Sequence, residues 1–304
     1  MKILITGGNG FVGSYFAKVF DGLNYEVFAP GRKDMDCFNP KSVSNYIKKS
    51  NPEIIIHSAA MIIPTDEMHG NHEKILNDNS ALNTNVLQQA ALLEVKNIFC
   101  FGSHTMYSPE VEKTESNILL GSSPSFIKGY ADSKRLLLKA CNKYCEEGFN
   151  YKMLVLPSIY GPFDPNFSPK QMLNSIILRA RNLKKDNHYE LDVRGDLTAL
   201  REYIFLPDIS TWISQSINII NELPTAMNLG TNSILPILEY YKICSKAFNL
   251  HLKYKEEDSL NDELFNNVTP LDYSKASNYG WGVVTPIEEG IMQTIKYING
   301  NYGV

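Results

Sequence analysis

Met1-Lys-Ile-Leu-Ile-Thr-Gly-Gly-Asn-Gly-Phe-Val-Gly-Ser14 decides how this chain folds. Ile3, Leu4 and Ile5 form an apolar run too short for a helix and made of strand formers. Glycines follow at 7, 10 and 13, and Phe11, Val12, Tyr15, Phe16, Val19 and Phe20 then recur at helical spacing. A strand that turns through glycines into a helix start is a phosphate site for a dinucleotide. The glycines allow backbone to approach the pyrophosphate, and the helix start offers unpaired N–H groups and a positive dipole end. Tight turns need glycine anyway, so the position directly after a strand carries the reading. Gly7, Asn9, Gly10, Phe11, Val12 and Gly13 are the candidate cofactor contacts of this loop.

Outward from that loop the rhythm continues to about residue 160. Glu26–Ala29, Ile54–Ala60, Ile98–Gly102 and Met153–Pro157 read as strands, and helical patterns lie near 11–21, 40–50, 79–94 and 129–147. Buried strands alternating with helices predict an α/β, doubly wound parallel sheet of the Rossmann type, with ligands outside the C-terminal strand ends. After Gly161-Pro-Phe-Asp-Pro-Asn-Phe-Ser-Pro169 the rhythm breaks, and a polar stretch spans 256–267. The expected organisation is a dinucleotide-binding domain over 1–160. A smaller, mainly substrate-binding lobe over 161–304 would interleave with the last strands of the sheet.

The 304 residues suffice for one large domain or two small ones, and 43% hydrophobic with 20% charged residues is ordinary for a globular protein. A net charge of −4 argues against general nucleic-acid binding. No apolar run approaches the ~18 residues that span a bilayer. Met1-Lys2 runs straight into the first strand, so the expectation is a cytoplasmic protein without a signal peptide or membrane partner. The five cysteines show no C-x-x-C pairing, and His69 and His72 lack a ligand framework, so no metal is expected.

The end of the second strand selects the dinucleotide. NAD sites place an acid there for the ribose hydroxyls, whereas a 2′-phosphate needs positive charge. Phe28-Ala-Pro-Gly-Arg-Lys33 has no acid, and Arg32 with Lys33 can grip a phosphate, which favours NADP(H). The alternative is that both are merely solvated turn residues.

Tyr130-Ala-Asp-Ser-Lys134 opens the helix after the fourth strand, and i, i+4 spacing puts the phenol and the ammonium on one face. The lysine is expected to lower the phenol pKa and make Tyr130 an acid or base. Ser103, in Phe99-Cys-Phe-Gly-Ser103, places a hydroxyl at the C-terminal edge of the sheet, where it could orient a reacting carbonyl.

Together these elements resemble the extended short-chain dehydrogenase/reductases, the NAD-dependent epimerase/dehydratase family, that act on nucleotide sugars. The resemblance covers about 1–230 strongly and continues weakly through Asn228-Leu-Gly230, Leu271-Asp-Tyr-Ser-Lys275 and Gly280-Trp-Gly282. It implies Ser103, Tyr130 and Lys134 as the catalytic triad and Asn79 as the helix asparagine that supports the relay. His57-Ser-Ala-Ala60 resembles the family's strand-end motif, and Pro157-Ser-Ile-Tyr-Gly-Pro162 its N-x-Y-G-P segment. Ala59, Ala60, Pro157 and Ile159 are thereby further cofactor contacts. Within the family, Ser108–Gly121 and Val193–Glu202 are most similar to the GDP-L-fucose synthases, with dTDP-rhamnose-forming reductases next.

The departures from that pattern restrict the chemistry. Nucleotide-sugar dehydratases carry Asp-Glu directly after the hydroxyl residue, where this chain has His104-Thr105, so dehydration is not expected. Fucose synthases epimerise with a cysteine and a histidine. Here Thr105 takes the cysteine position, no histidine stands near Met172, and loss of epimerisation is expected. His104 is the one local acid or base that could substitute. The basic residues that fucose synthases place before the D-x-S-K segment are absent from Asn266–Pro270.

The resulting expectation is hydride transfer from NADPH to C4 of a nucleotide-linked 4-keto-6-deoxy sugar, with Ser103, Thr105, Arg179 and Arg201 as substrate contacts. For each arginine the alternative is a surface salt bridge. A redox-neutral 4-epimerase holding NAD, a bifunctional epimerase-reductase and a non-enzymatic nucleotide sensor remain the alternatives. Leu82, Val86, Leu87, Leu136, Leu137 and Leu138 make the helices near 79–94 and 130–147 apolar. In the family these helices pair across a dyad, which implies a homodimer; the alternative is that both stripes are core.

Overall fold

The computed structural model describes residues 1–63, 69–166, 169–254, 269–282 and 284–302. The polar stretch 256–267 lies outside these residues, as does most of 266–270. In chain order the first half runs β1 (Lys2–Thr6), α1 (Phe11–Gly22), β2 (Glu26–Phe28), α2 (Pro40–Ser50), β3 (Ile54–His57), α3 (His72–Leu92), β4 (Asn97–Ser103), α4 (Lys128–Glu146) and β5 (Asn150–Leu156). The second half runs β6 (Ser158–Tyr160), α5 (Met172–Lys185), β7 (Glu190–Asp192), β8 (Leu200–Phe205), α6 (Leu206–Ser216), β9 (Ala226–Asn228), β10 (Ile234–Pro236), α7 (Ile237–Phe248), β11 (His251–Lys253), α8 (Ser274–Ser277) and α9 (Ile287–Tyr302).

The chain forms two compact units. The first comprises Met1–Leu156, Ser210–Leu229 and Asp272–Trp281. Its six-stranded sheet has the order β2-β1-β3-β4-β5-β9, and every neighbouring pair is parallel. Ile3–Ile5, Ile54–Ile56, Ile98–Cys100 and Met153–Val155 are all buried, as strands covered by helices on both faces must be. The chain leaves β1 for β2 on one side and comes back to β3 on the other. The topological switch point therefore lies between the ends of β1 and β3, which is where ligands bind in open α/β sheets.

β9 is one of the two edge strands of this sheet among the described residues, and Asn228 ties it down. Its backbone N–H donates to Glu115 Oε1 at 2.9 Å, and its side-chain amide donates to the carbonyls of Lys113 (2.8 Å) and Asp272 (2.9 Å). The Tyr107 hydroxyl donates to Asn228 Oδ1 at 2.8 Å. Trp212 and Trp281 pack edge-on within the same unit, with ring centroids 6.4 Å apart, and Trp212 Nε1 donates to the Tyr279 carbonyl.

The second unit, Pro157–Ile209, Gly230–Leu271 and Gly282–Val304, pairs β6 with β8 in parallel and β8 with β10 antiparallel. A separate parallel pair joins β7 and β11. Tyr160, Tyr203, Phe205 and Tyr240 form its aromatic core.

Candidate active site

The glycine loop is as tightly packed as a phosphate cradle requires. Gly7 has φ +70°, and a Cβ on Gly8 would lie 2.2 Å from the Ala29 carbonyl oxygen. A Cβ on Gly13 would lie 2.3 Å from the Gly7 carbonyl oxygen and 3.0 Å from Ser58 Oγ. Gly10 N–H donates to the Gly7 carbonyl (2.8 Å), and Ser14 N–H donates to Gly10 (3.0 Å). No side chain caps α1. The N–H groups of Phe11, Val12 and Gly13 thus have no acceptor among the described residues, which is the arrangement that receives an anion. Gly13→Ala is expected to lower NADPH affinity at least about tenfold and to destabilise by about 1–3 kcal/mol, measured by calorimetry and thermal melting. Gly22→Ala, whose added Cβ meets nothing within 4 Å, is the control that should leave both intact.

The strand-end motif is built into the floor beneath this loop. His57 is buried, and burial, with the nearby Lys134 charge, lowers its pKa to about 4, so it is neutral. Its Nε2 lies 2.9 Å from Asn83 Oδ1 and its Nδ1 lies 2.8 Å from Thr6 Oγ1. The amide oxygen can only accept, which assigns the ring proton to Nε2 and makes the threonine hydroxyl the donor to Nδ1. Thr6 Oγ1 in turn accepts from Ala59 N–H at 3.1 Å. One turn along α3, Asn79 Oδ1 accepts from Met61 N–H (2.9 Å), and its amide donates to the carbonyls of Met61 and Ile75 (both 3.0 Å). From one helix face, Asn79 therefore fixes the backbone at Met61 and Asn83 fixes the His57 ring. Ala59 and Ala60, the candidate contacts there, are half-buried.

Arg32 and Lys33 are exposed beyond β2. Arg32 Nε lies 3.4 Å from Asp36 Oδ1, and its guanidinium carbon is 5.0 Å from the Phe38 ring centroid. The acid missing from the strand end thus arrives from four residues further on. The terminal nitrogens of Arg32 keep no partner among the described residues, so a phosphate can still be gripped.

Tyr130 and Lys134 share one face of α4, with the ammonium 5.6 Å from the ring centroid. Burial raises the Tyr130 phenol to about 12 and lowers Lys134 to about 8. This differs from the sequence expectation that the ammonium would pull the phenol down. A low-dielectric surrounding disfavours both charged forms, and burial is the cause of the Tyr130 shift. Neither the Tyr130 hydroxyl nor the Lys134 ammonium has a hydrogen-bond acceptor among the described residues. The Cys100 and Cys141 thiols act on Lys134 in the opposite sense to burial, and more weakly.

Ser103 ends β4 and accepts from both the backbone N–H (3.3 Å) and the hydroxyl (3.0 Å) of Thr105. Arg135, the residue after Lys134, donates to the carbonyls of Met106 (2.6 Å), Gly121 (2.7 Å) and Leu120 (3.0 Å). It ties the segment after Ser103 to the helix that bears Tyr130. Sequence reading missed Arg135, whose only signal is its place beside Lys134.

The chain belongs to the NAD dependent epimerase/dehydratase family. Residues 3–230 match the model of that family. Among characterised members, it is 29% identical to a GDP-L-fucose synthase of Azorhizobium caulinodans, over 99% of this chain and 97% of that protein. It is 28% identical to a GDP-L-colitose synthase of Yersinia pseudotuberculosis, over 98% and 97%. A GDP-mannoheptose C4 reductase of Campylobacter jejuni with NADP bound superimposes with a TM-score of 0.83 over 97% of each chain. At 20% identity that likeness is one of fold.

The remaining candidates lie in the second unit. Pro157 is buried, and Ile159 sits on β6 opposite Ile204 of β8. Arg179 already donates to the Asp192 carbonyl (3.2 Å) and the Tyr241 hydroxyl (2.8 Å). Arg201 Nη1 donates to the Leu200 carbonyl at 2.7 Å, and its charge is flanked by Tyr203, Asp196 and Tyr240. Both arginines are half-buried, and Arg179 forms no salt bridge among the described residues. Among the described residues no His, Cys, Asp and Glu side chains gather into a metal site, and no helix is long and apolar enough to cross a membrane. All five cysteines are free thiols.

Proposed function

We propose that the protein is an NADP(H)-dependent C4 ketoreductase acting on a nucleotide-linked 4-keto-6-deoxy sugar, by preference a GDP-sugar, without C3/C5 epimerase activity. One observation carries the reading: Ser103, Tyr130 and Lys134 each hold hydrogen-bond donor capacity that the described residues leave unused. A donor set of this kind suits a carbonyl oxygen that becomes an alkoxide. The naming of relatives as GDP-sugar synthases and of a neighbour as an NADP-bound C4 reductase supports the substrate class and the cofactor.

The residues present fit the dinucleotide. The unpaired amides of Phe11–Gly13 would take the pyrophosphate, Arg32 the 2′-phosphate, and the Lys134 ammonium the nicotinamide ribose. Bound NADPH would supply the hydride. Tyr130 would give its phenolic proton to the sugar oxygen, while Ser103 holds that oxygen by donation. An alkoxide is more basic than the Tyr130 phenolate, so proton transfer is downhill even with the phenol at about 12. Arg201 is the proposed clamp for the substrate diphosphate. Arg179, with two hydrogen bonds of its own, is the weaker candidate. Thr105 has a hydroxyl where fucose synthases have their epimerising thiol, and a hydroxyl is too weak an acid for that role.

A homodimer through α3 and α4 is part of this reading. Leu82, Val86, Leu87, Leu137 and Leu138 are buried within the chain itself, so such an interface would rest on the exposed Leu136 and Leu92.

The deciding assay is oxidation of NADPH and NADH, followed at 340 nm, against GDP-, CDP- and dTDP-linked 4-keto-6-deoxy sugars. Turnover with NADPH is expected, and Arg32→Ala should raise its KM about tenfold or more while leaving NADH kinetics alone. No oxidation of either cofactor, with NAD retained through purification, would overturn the reductase in favour of the 4-epimerase.

A further inference from the structure

Ser103 closes β4, and Thr105 lies in the 3-10 turn His104–Met106 that follows directly. A serine hydroxyl has two lone pairs and one proton. Both acceptor directions of Ser103 Oγ are filled by Thr105, one by its backbone N–H at 3.3 Å and one by its hydroxyl at 3.0 Å. The Ser103 proton has no acceptor among the described residues. Thr105 is only 8% exposed, so its hydroxyl is not drawn away by solvent. The turn that carries it is pinned at its C-terminal end. Arg135 Nε donates to the Met106 carbonyl at 2.6 Å, and the adjacent Tyr107 hydroxyl donates to Asn228 Oδ1 at 2.8 Å.

We propose that Thr105 is a positioning residue that makes Ser103 a one-way hydrogen-bond donor toward the substrate ketone oxygen. The inference rests on the ketoreductase reading and deepens it. A serine with a vacant lone pair can accept the Tyr130 proton-bearing bond itself and so compete with the substrate oxygen. Filling both lone pairs removes that competition, leaving Ser103 and Tyr130 to donate to the same ketone. A hydroxyl that accepts hydrogen bonds is also polarised into a stronger donor. The demand falls on the threonine hydroxyl, because the backbone N–H alone fills only one of the two acceptor directions.

The test uses the whole protein with Thr105→Val, Thr105→Ser, Ser103→Ala and the Ser103→Ala/Thr105→Val double variant. Thr105→Val keeps the shape and loses the hydroxyl. It is expected to lower kcat about tenfold, with KM for the sugar nucleotide and NADPH affinity by calorimetry both within about twofold of wild type. Thr105→Ser should restore most of the lost kcat, which a purely steric role would not. In the Ser103→Ala background the further change to valine should cost nothing, because the residue through which Thr105 acts is already gone. A Thr105→Val protein as fast as wild type, or one that loses the same factor with and without Ser103, overturns the inference. A wild-type protein that oxidises no NADPH with any 4-keto sugar nucleotide overturns the ketoreductase reading instead.

Discussion

Tyr130→Phe is expected to reduce NADPH-dependent turnover of a 4-keto sugar nucleotide by about three orders of magnitude, with an unchanged melting temperature. The phenol lies at the start of α4, has no hydrogen-bond acceptor among the described residues, and is raised to about 12 by burial. It is therefore protonated throughout the working pH range. A group in that state can give a proton and cannot take one, which fits reduction of a ketone. Phenylalanine keeps the ring and its packing and deletes only the proton. If the variant still turns over within tenfold of wild type, another acid protonates the sugar oxygen, and His104 is the first to examine.

Lys134→Met should abolish activity to a similar degree while making the protein more stable. Lys134 is 4% exposed, and its ammonium has no carboxylate or other acceptor among the described residues. Its pKa falls from 10.5 to about 8 because burial penalises the charge. Below pH 8 it is protonated in both folded and unfolded chains, and the full penalty, about 3 kcal/mol, is present. Between about pH 8 and 10.5 the unfolded chain binds more protons than the folded one, so this residue's penalty is relieved as pH rises. Methionine removes the penalty at every pH. The stability gap between Lys134→Met and wild type should thus be largest at neutral pH and shrink above pH 8. Chemical denaturation across that range measures it. A variant less stable than wild type at pH 7 would mean that the ammonium has a partner the described residues do not supply.

The helices and strands of the first half were legible because their signals are local. Residues 40–50 read as a helix and are one, with Pro40 opening it and Asn39 Oδ1 accepting from Lys41 N–H and Ser42 N–H. α3 begins at His72, earlier than the 79–94 pattern indicated. Its first turns offer only Ile75 and Leu76 as apolar residues, so the periodicity there is too thin to read. β5 likewise begins at Asn150, three residues before its apolar run, because Asn150, Tyr151 and Lys152 find register partners in Asn97, Ile98 and Phe99. The three-residue strands of the second unit have no period at all, and only pairing with distant partners defines them.

The candidate site divides along the same line. By itself the sequence determined the glycine turn and the shared face of Tyr130 and Lys134. It also determined the hydroxyl at the end of β4, since each follows from the order and spacing of neighbouring residues. Only the tertiary structure decided how these groups behave. It joined Thr6 to His57 and His57 to Asn83, 51 and 26 residues apart. It set Asp36 against Arg32 and filled both acceptor directions of Ser103 with Thr105. It also raised Tyr130 where spacing alone predicted lowering, because a pKa depends on the water excluded around a group, and that is fixed only once distant segments have packed.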